Sequence, residues 1–422
     1  MSLLDKLSLI DPAVMEDPYP YFKAIHDADA RVVEVPGVGY WVGRMNDVRA
    51  LSRDTETFSN SYFSEGGPLP TGVNPEPLQD DVRAIFADGP EVVNALWTTD
   101  PPIHSLHRKL VNKAFTVRWV ESQERGMRQL AHDLIDGFVG TREVEFIHDY
   151  AVKIPLIVIA DALGVSRDDI GTFRRWSDDI LAGNLDVLTH ERRRQVATSF
   201  VEATRYFADT VVERRREPKP DLISSLATAE VDGRRLEIAE ILPIISTVLL
   251  AGNETTANLI GNGMSILLDR PELLRRLVDD PEQIPAFLEE VLRYEGPVHC
   301  LYRVVTQDTE VAGVKIPQGS NVMLGWGSAG RDPDWFAEPD EFNMDRDNAK
   351  QHVGFGFGPH LCVGSTLARA EARVAFEVLF ERLENFALKP ETPRVHVPTH
   401  ATRGLQRLEM TFTDRAAVGK TF

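Results

Sequence analysis

Cysteine is almost absent from this chain: Cys300 and Cys362 are the only two. Two thiols cannot build a disulfide framework, so a small disulfide-stapled fold is excluded, and both are free for other work in a reducing compartment. Positive charge is also in deficit. Lys and Arg number 46 against 65 Asp and Glu, a formal charge of −19 at neutral pH. That balance disfavours nucleic acid and anionic membrane surfaces, and any anionic partner needs a local basic patch. No apolar run reads as long enough to span a bilayer. The stretch "MSLLDKLSLIDPAVMEDPYPYF" lacks the basic start and long apolar core of a signal peptide, so a cytoplasmic protein is expected. Repeats, low-complexity segments and linkers are missing as well. The 422 residues are therefore expected to form one large integrated unit rather than a string of domains.

What is present is mostly helical spacing. Apolar residues recur with helical period over 120–140, 145–163, 190–216, 237–269, 272–279, 282–294 and 364–384. Strand-like alternation is short, with β-rich regions near 31–45, 302–324 and 385–415. The expected class is mainly α with small β-sheets. Residues 60–102 stand apart, rich in Gly, Pro, Asp and Asn with a weak helical pattern only around "DDVRAIF". A long irregular stretch of this kind serves a site as a lid or is a plain surface loop.

One of the two cysteines sits in "FGFGPHLCVG", residues 355–364, among three glycines that let a backbone turn tightly and approach a flat object. An apolar-periodic helix follows at once, which sets the Cys362 thiol near a helix N-terminus, where backbone N–H groups favour a thiolate. A buried inert thiol, a nucleophile and an axial ligand to a haem iron all fit that placement. A second unusual stretch lies in the longest helical run, about 50 Å at 1.5 Å per residue. Inside it Gly252, Asn253, Glu254, Thr255 and Thr256 interrupt the apolar pattern. A Thr hydroxyl there can reach the carbonyl of Ala251, four residues back, and a local distortion is expected. A carboxylate in such a run is costly unless hydrogen-bonded or hydrated.

Together these motifs resemble the cytochrome P450 monooxygenases. "FGFGPHLCVG" is similar to the family's haem-binding loop, with Phe355, Gly356, Gly358, His360, Cys362 and Gly364 on pattern, and the resemblance runs from "EDPYPYF" to the C-terminal sheet. It implies a single cytochrome P450 domain over residues 1–422, with the long central helix over the haem. Cys362 would be the axial ligand to the iron of a haem b, with His360 close to a haem propionate. "AGNETT" resembles the oxygen-activation motif, so Thr255 would hydrogen-bond the dioxygen species at the iron and Glu254 would feed protons through water. Arg293 lies three residues after Glu290, a spacing shared by Glu191, Glu202, Glu213, Glu272 and Glu391. Context selects Glu290: it lies 72 residues before Cys362 and is followed by the family-like "GRDPDWFAEPDEFNMDR", and the resemblance implies a buried structural network of Glu290, Arg293 and Arg346. The chain departs from the family at Gly330, where Asn is frequent, which bears on one local hydrogen bond.

Asp and Pro open "TDPPIHSLHRKLVNKAF" as helix-start signals, placing His104 and Arg108 on one helix face. By resemblance these two, with Arg303, would hold the haem propionates. Family position also puts Val248, Ala251, Pro297, Val298, His299 and Cys300 in the substrate pocket, with His299 and Cys300 as polar handles or core residues. The implied activity is insertion of one oxygen atom of dioxygen into a hydrophobic molecule, preferably terpenoid-like or steroid-like. Its electrons would come from a ferredoxin with its flavin-dependent reductase. Arg108, Lys109, Lys113, Arg118, Arg369 and Arg373 are the candidate basic patch for docking it. A monomer without nucleic-acid or membrane partners is expected. A peroxide-driven peroxygenase, a non-catalytic haem sensor and a thiol hydrolase are the alternatives, and the last leaves the central motif unexplained.

Overall fold

The computed structural model describes residues 7–61, 79–182 and 188–415. Helices dominate, and their bounds follow the apolar spacing closely: His190–Arg216, Ile238–Leu268, Pro271–Asp279, Ile284–Tyr294 and Ser365–Arg382. Their starts have local causes. Thr116 and Thr189 each accept a hydrogen bond from a backbone N–H three residues on, which caps Val117–Asp136 and His190–Arg216. The central helix Ile238–Leu268 opens where the Glu240 carboxylate accepts from the Glu237 N–H at 2.8 Å.

The 145–163 span differs from expectation. Glu143–Glu145 is a strand, Ile147–Ala151 is a wider π turn, and only Lys153–Ala162 is α-helix. The Glu145 carboxylate accepts from the His148 N–H at 2.8 Å, and Phe146 N–H donates to the Leu408 carbonyl at 2.9 Å. These bonds hold the entry in place of regular helix. Among residues 60–102, Asp80–Ala87 is a helix and Leu96–Thr98 a short 3-10 turn, while 62–78, on which part of the lid expectation falls, lie outside the described residues.

Of the four sheets among the described residues, two have more than two strands. In the larger, Val32–Val35 pairs antiparallel with Gly39–Val42, which runs parallel to Asn321–Gly325; that strand is antiparallel to Cys300–Val305, which pairs with Phe58–Ser59. In the smaller, Glu409–Asp414 lies between Leu383–Leu388 and Glu143–Glu145. The central helix packs against Lys153–Ala162, Ile170–Ala182, His190–Arg216, Ile284–Tyr294 and Ser365–Arg382. This corrects one expectation, because by length and composition Ile238–Leu268 is apolar enough to cross a membrane. Its apolar character serves the interior instead: Ile241, Ile244, Ile245, Leu249, Leu259, Ile260 and Met264 are all buried in the main core. A helix hydrophobic nearly all round is what burial on several sides requires.

Candidate active site

The Cys362 loop is a chain of turns. Gly356 N–H donates to Val353 O at 2.8 Å, Leu361 N–H to Gly358 O at 3.1 Å, and Cys362 N–H to Phe355 O at 2.9 Å. Gly358 has φ +73°, and a Cβ there would lie 2.8 Å from the Ser52 carbonyl oxygen. Both the conformation and the space demand glycine. The Cys362 thiol is accessible to solvent yet deep in the fold. Desolvation raises its pKa, while the backbone N–H groups of Gly364 and Ser365 and the charges of Arg108 and Arg369 favour the thiolate.

Beside it, cationic and imidazole groups converge with few acids to match them. The His104 and His360 rings lie 4.0 Å apart between centroids. His104 Nδ1 and His360 Nε2 are buried without a hydrogen-bond partner, and the Asp100 carboxylate is 3.9 Å from His360 Nε2. Desolvation, then Arg108, push His104 down to about 4. His360 falls further, through desolvation and then His104, Arg303 and Arg108. Arg303 is buried on the strand Cys300–Val305, and Arg108 Nη1 donates to the Leu361 carbonyl. Buried imidazole nitrogens left unpartnered are costly, and an anion placed among these four groups would relieve that cost.

The central helix runs unbroken through Gly252–Thr256, so the expected distortion does not interrupt it. Thr255 Oγ1 donates to the Ala251 carbonyl at 2.5 Å. Ala251 is exposed although the helix is otherwise a core element, and Thr255 is half-buried. Glu254 points elsewhere, accepting from Thr402 Oγ1 at 3.1 Å. Burial raises its pKa, while the Thr402 hydrogen bond and the nearby Asn258 side chain pull it the other way.

Glu290, Arg293 and Arg346 meet in one buried network. Arg293 makes two bonds of 2.7 Å to the Glu290 carboxylate through Nε and Nη2; Nη1 donates to the carbonyls of Gly330 and Pro339, and Nη2 also to that of Glu341. Arg346 Nε is 3.4 Å from Glu290 Oε1. At Gly330 a Cβ would lie 2.3 Å from the Arg293 carbonyl oxygen, which accounts for glycine at the position where the family often carries Asn.

A profile described as Cytochrome P450 matches residues 282–405. Over 323 residues the chain is 38% identical to cytochrome P450 107B1 of Saccharopolyspora erythraea, covering 76% of each. Over 407 residues it is 34% identical to a vitamin D(3) 25-hydroxylase of Pseudonocardia autotrophica, covering 95% of each. The structure of a cytochrome P450 from Chondromyces apiculatus is similar with a TM-score of 0.86 at 36% identity, over 97% of this chain and 99% of that one. The chain belongs to the cytochrome P450 family.

The fold is the P450 fold and the protein is a P450 monooxygenase. The family's cofactor is haem, and the residues present fit it. Accessible surface opens both at Cys362, in the loop just before Ser365–Arg382, and at Ala251 on the central helix, which packs against that helix, and the unpartnered nitrogens of His104 and His360 suit propionate oxygens. Other expectations need correction. Of the six cations in the candidate patch, Arg369 bonds the Glu289 carboxylate, at 3.0 Å through Nη2, and Arg373 pairs with Glu124 at 2.8 Å and Glu377 at 2.9 Å. Lys113 donates to the Glu230 carbonyl at 2.6 Å. The P450 surface there is less positive than the sequence suggests, although Lys109 and Arg118 are exposed. His299 and Cys300 are not wall residues. Their N–H groups donate to the Ala401 carbonyl as the strand begins, His299 lies edge-on to Tyr19 and Phe22, and Cys300 joins the core with Leu9, Tyr21 and Met323. Val248 and Pro297 are buried, whereas Val298 is half-buried.

Sequence reasoning passed over three residues. Thr402 holds Glu254. Asp100 accepts from the Asn60 N–H at 3.0 Å beside His360. Glu371, on the helix that follows the Cys362 loop, is buried and raised to about 8 by desolvation, with Thr256 pulling it the other way. Its signal was available: Glu371 falls four residues after Leu367 and three before Val374, on the buried stripe of its helix.

Proposed function

We propose that this P450 hydroxylates a hydrophobic, steroid-like small molecule with dioxygen and two electrons from a ferredoxin, as a cytoplasmic monomer. The observation that carries the haem assignment is the accessible Cys362 at a helix start, beside His104, Arg108, Arg303 and His360 with two buried nitrogens unpartnered. In this reading Cys362 holds haem b and the four neighbours hold its propionates. The haem supplies the oxidation, one oxygen atom of dioxygen going to the substrate and the other leaving as water. The protein's own residues do the rest. Val248, Ala251, Pro297 and Val298 give an apolar wall that orients the substrate and keeps water out. Thr255 holds a proton at Oγ1, and Glu254 supplies protons from its carboxyl. The vitamin D(3) 25-hydroxylase among the relatives supports a steroid-like substrate over a smaller aromatic one. The Glu290, Arg293 and Arg346 network keeps the chain before the Cys362 loop in shape.

The acid and alcohol pair favours dioxygen over peroxide as the oxidant. The test is Thr255→Ala in the haem-loaded protein, driven by a surrogate ferredoxin and its reductase. Peroxide released per NADH consumed is expected to rise several-fold. An unchanged ratio contradicts proton management by Thr255.

A further inference from the structure

The segment Ala401–Leu405 is clamped between two parts of the fold. Its Ala401 carbonyl accepts from His299 N–H at 2.8 Å, Arg403 N–H donates to the Pro297 carbonyl at 2.9 Å, and Val298 and Thr402 form an antiparallel bridge. From the central helix, Asn262 Nδ2 donates to the Arg403 carbonyl at 2.9 Å and to the Glu295 carbonyl at 3.0 Å. With its backbone fixed on both sides, Thr402 points its hydroxyl at Glu254, donating to Oε1 at 3.1 Å.

The groups around Glu254 leave that hydroxyl an unusual share of the task. The side chains that favour its charged form are Thr402 and Asn258, both neutral. Arg403, next along the segment, is engaged by the Glu295 carboxylate at 2.8 Å. His400 is bonded to the Tyr302 hydroxyl, and His396 to the Glu16 carboxylate at 2.6 Å. Glu371, on the helix Ser365–Arg382 packed against the central helix, is a buried acid that desolvation favours as neutral, so it is no cation for Glu254. A carboxyl that gives up a proton is left ionised until solvent returns one. A fixed hydroxyl donor stabilises that form and holds the second oxygen in a set direction.

We propose that Thr402 is a positioning residue for proton delivery, holding the Glu254 carboxylate so that the segment bridged to Val298 also governs the relay. This rests on the reading of Glu254 as the proton source. It ties two functions to one short piece of chain, since the residue bridged to Thr402 is part of the apolar wall.

The experiment uses haem-loaded wild type, Thr402→Val, Thr402→Ser and Glu254→Gln. The infrared carbonyl band lost in Glu254→Gln reports the protonated carboxyl and is titrated with pH in the ferric protein. Peroxide released per NADH consumed is measured with a surrogate ferredoxin and reductase without added substrate. Thr402→Val is expected to move the band's midpoint up by about one pH unit and to raise peroxide several-fold, while Thr402→Ser stays at the wild-type values. A midpoint unchanged in Thr402→Val, or shifted equally in Thr402→Ser, overturns the proposal. Should Thr402→Val fail to retain haem, Thr402→Ala is read by the same two measures. If Glu254→Gln leaves peroxide unchanged, the relay reading fails and takes the role of Thr402 with it. If Glu254→Gln raises peroxide and Thr402→Val changes neither measure, only the role of Thr402 is lost.

Discussion

Replacing Glu371 by Gln should stabilise this P450, and the gain should grow as pH rises. Glu371 is 1% exposed, and its Oε1 is buried without a hydrogen-bond partner. Desolvation raises the pKa from 4.5 to about 8. Between those values the folded protein holds a proton that the unfolded chain has released. The unfolded state then binds fewer protons, so stability falls as pH rises, by about 1.4 kcal/mol per unit. From pH 5 to pH 8 the loss from this one group is on the order of 4 kcal/mol. Gln keeps the shape and cannot ionise, so Glu371→Gln escapes that loss. Urea unfolding of both haem-loaded proteins across this range measures it. The difference in stability should be small at pH 5 and widen steadily to pH 8. A difference independent of pH, or one that narrows, refutes the argument that Glu371 is a buried neutral acid.

Arg293→Ala leaves the Glu290 carboxylate, 0% exposed, without its two-pronged partner. Breaking a buried pair from one side costs roughly 3–5 kcal/mol, so little folded, haem-loaded protein should be recovered; a normal yield contradicts the structural role. Gly358→Ala forces a Cβ against the Ser52 carbonyl at positive φ, and haem retention measured by absorbance should fall sharply. Gly126→Ala is the control. It lies in the helix Val117–Asp136 with nothing within 4 Å of a Cβ, so it should retain haem and gain up to about 1 kcal/mol in unfolding stability.

Much of the fold was legible because its long helices carry clear apolar periods. The spans at 190–216 and 282–294 differ from the observed helices by two residues or fewer. Shorter elements such as Leu222–Thr228 and the strand Phe58–Ser59 gave too few periods to read. The location of the Cys362 loop was legible because glycine spacing and the following helix are local properties. What the sequence hid is long-range pairing. Arg369 reads as a free surface cation until Glu289, far away in the chain, is brought to 3.0 Å from its Nη2. His299 reads as a polar handle until strand pairing turns it toward Tyr19 and Phe22. Thr402 has no local feature at all, and only the packing of Ala401–Leu405 against the central helix gives its hydroxyl a partner. Glu371 was recoverable from its helical position, but an acid among alanines looks like an ordinary surface residue until the opposite helix is known.

The central claim is that Cys362 ligates a haem as a thiolate, and the carbon monoxide difference spectrum of the dithionite-reduced protein tests it most directly. Wild type should show a strongly red-shifted Soret band, and Cys362→Ser should lose it. A wild-type band where histidine-ligated or thiol-ligated haem absorbs, or an unchanged band in Cys362→Ser, contradicts the account.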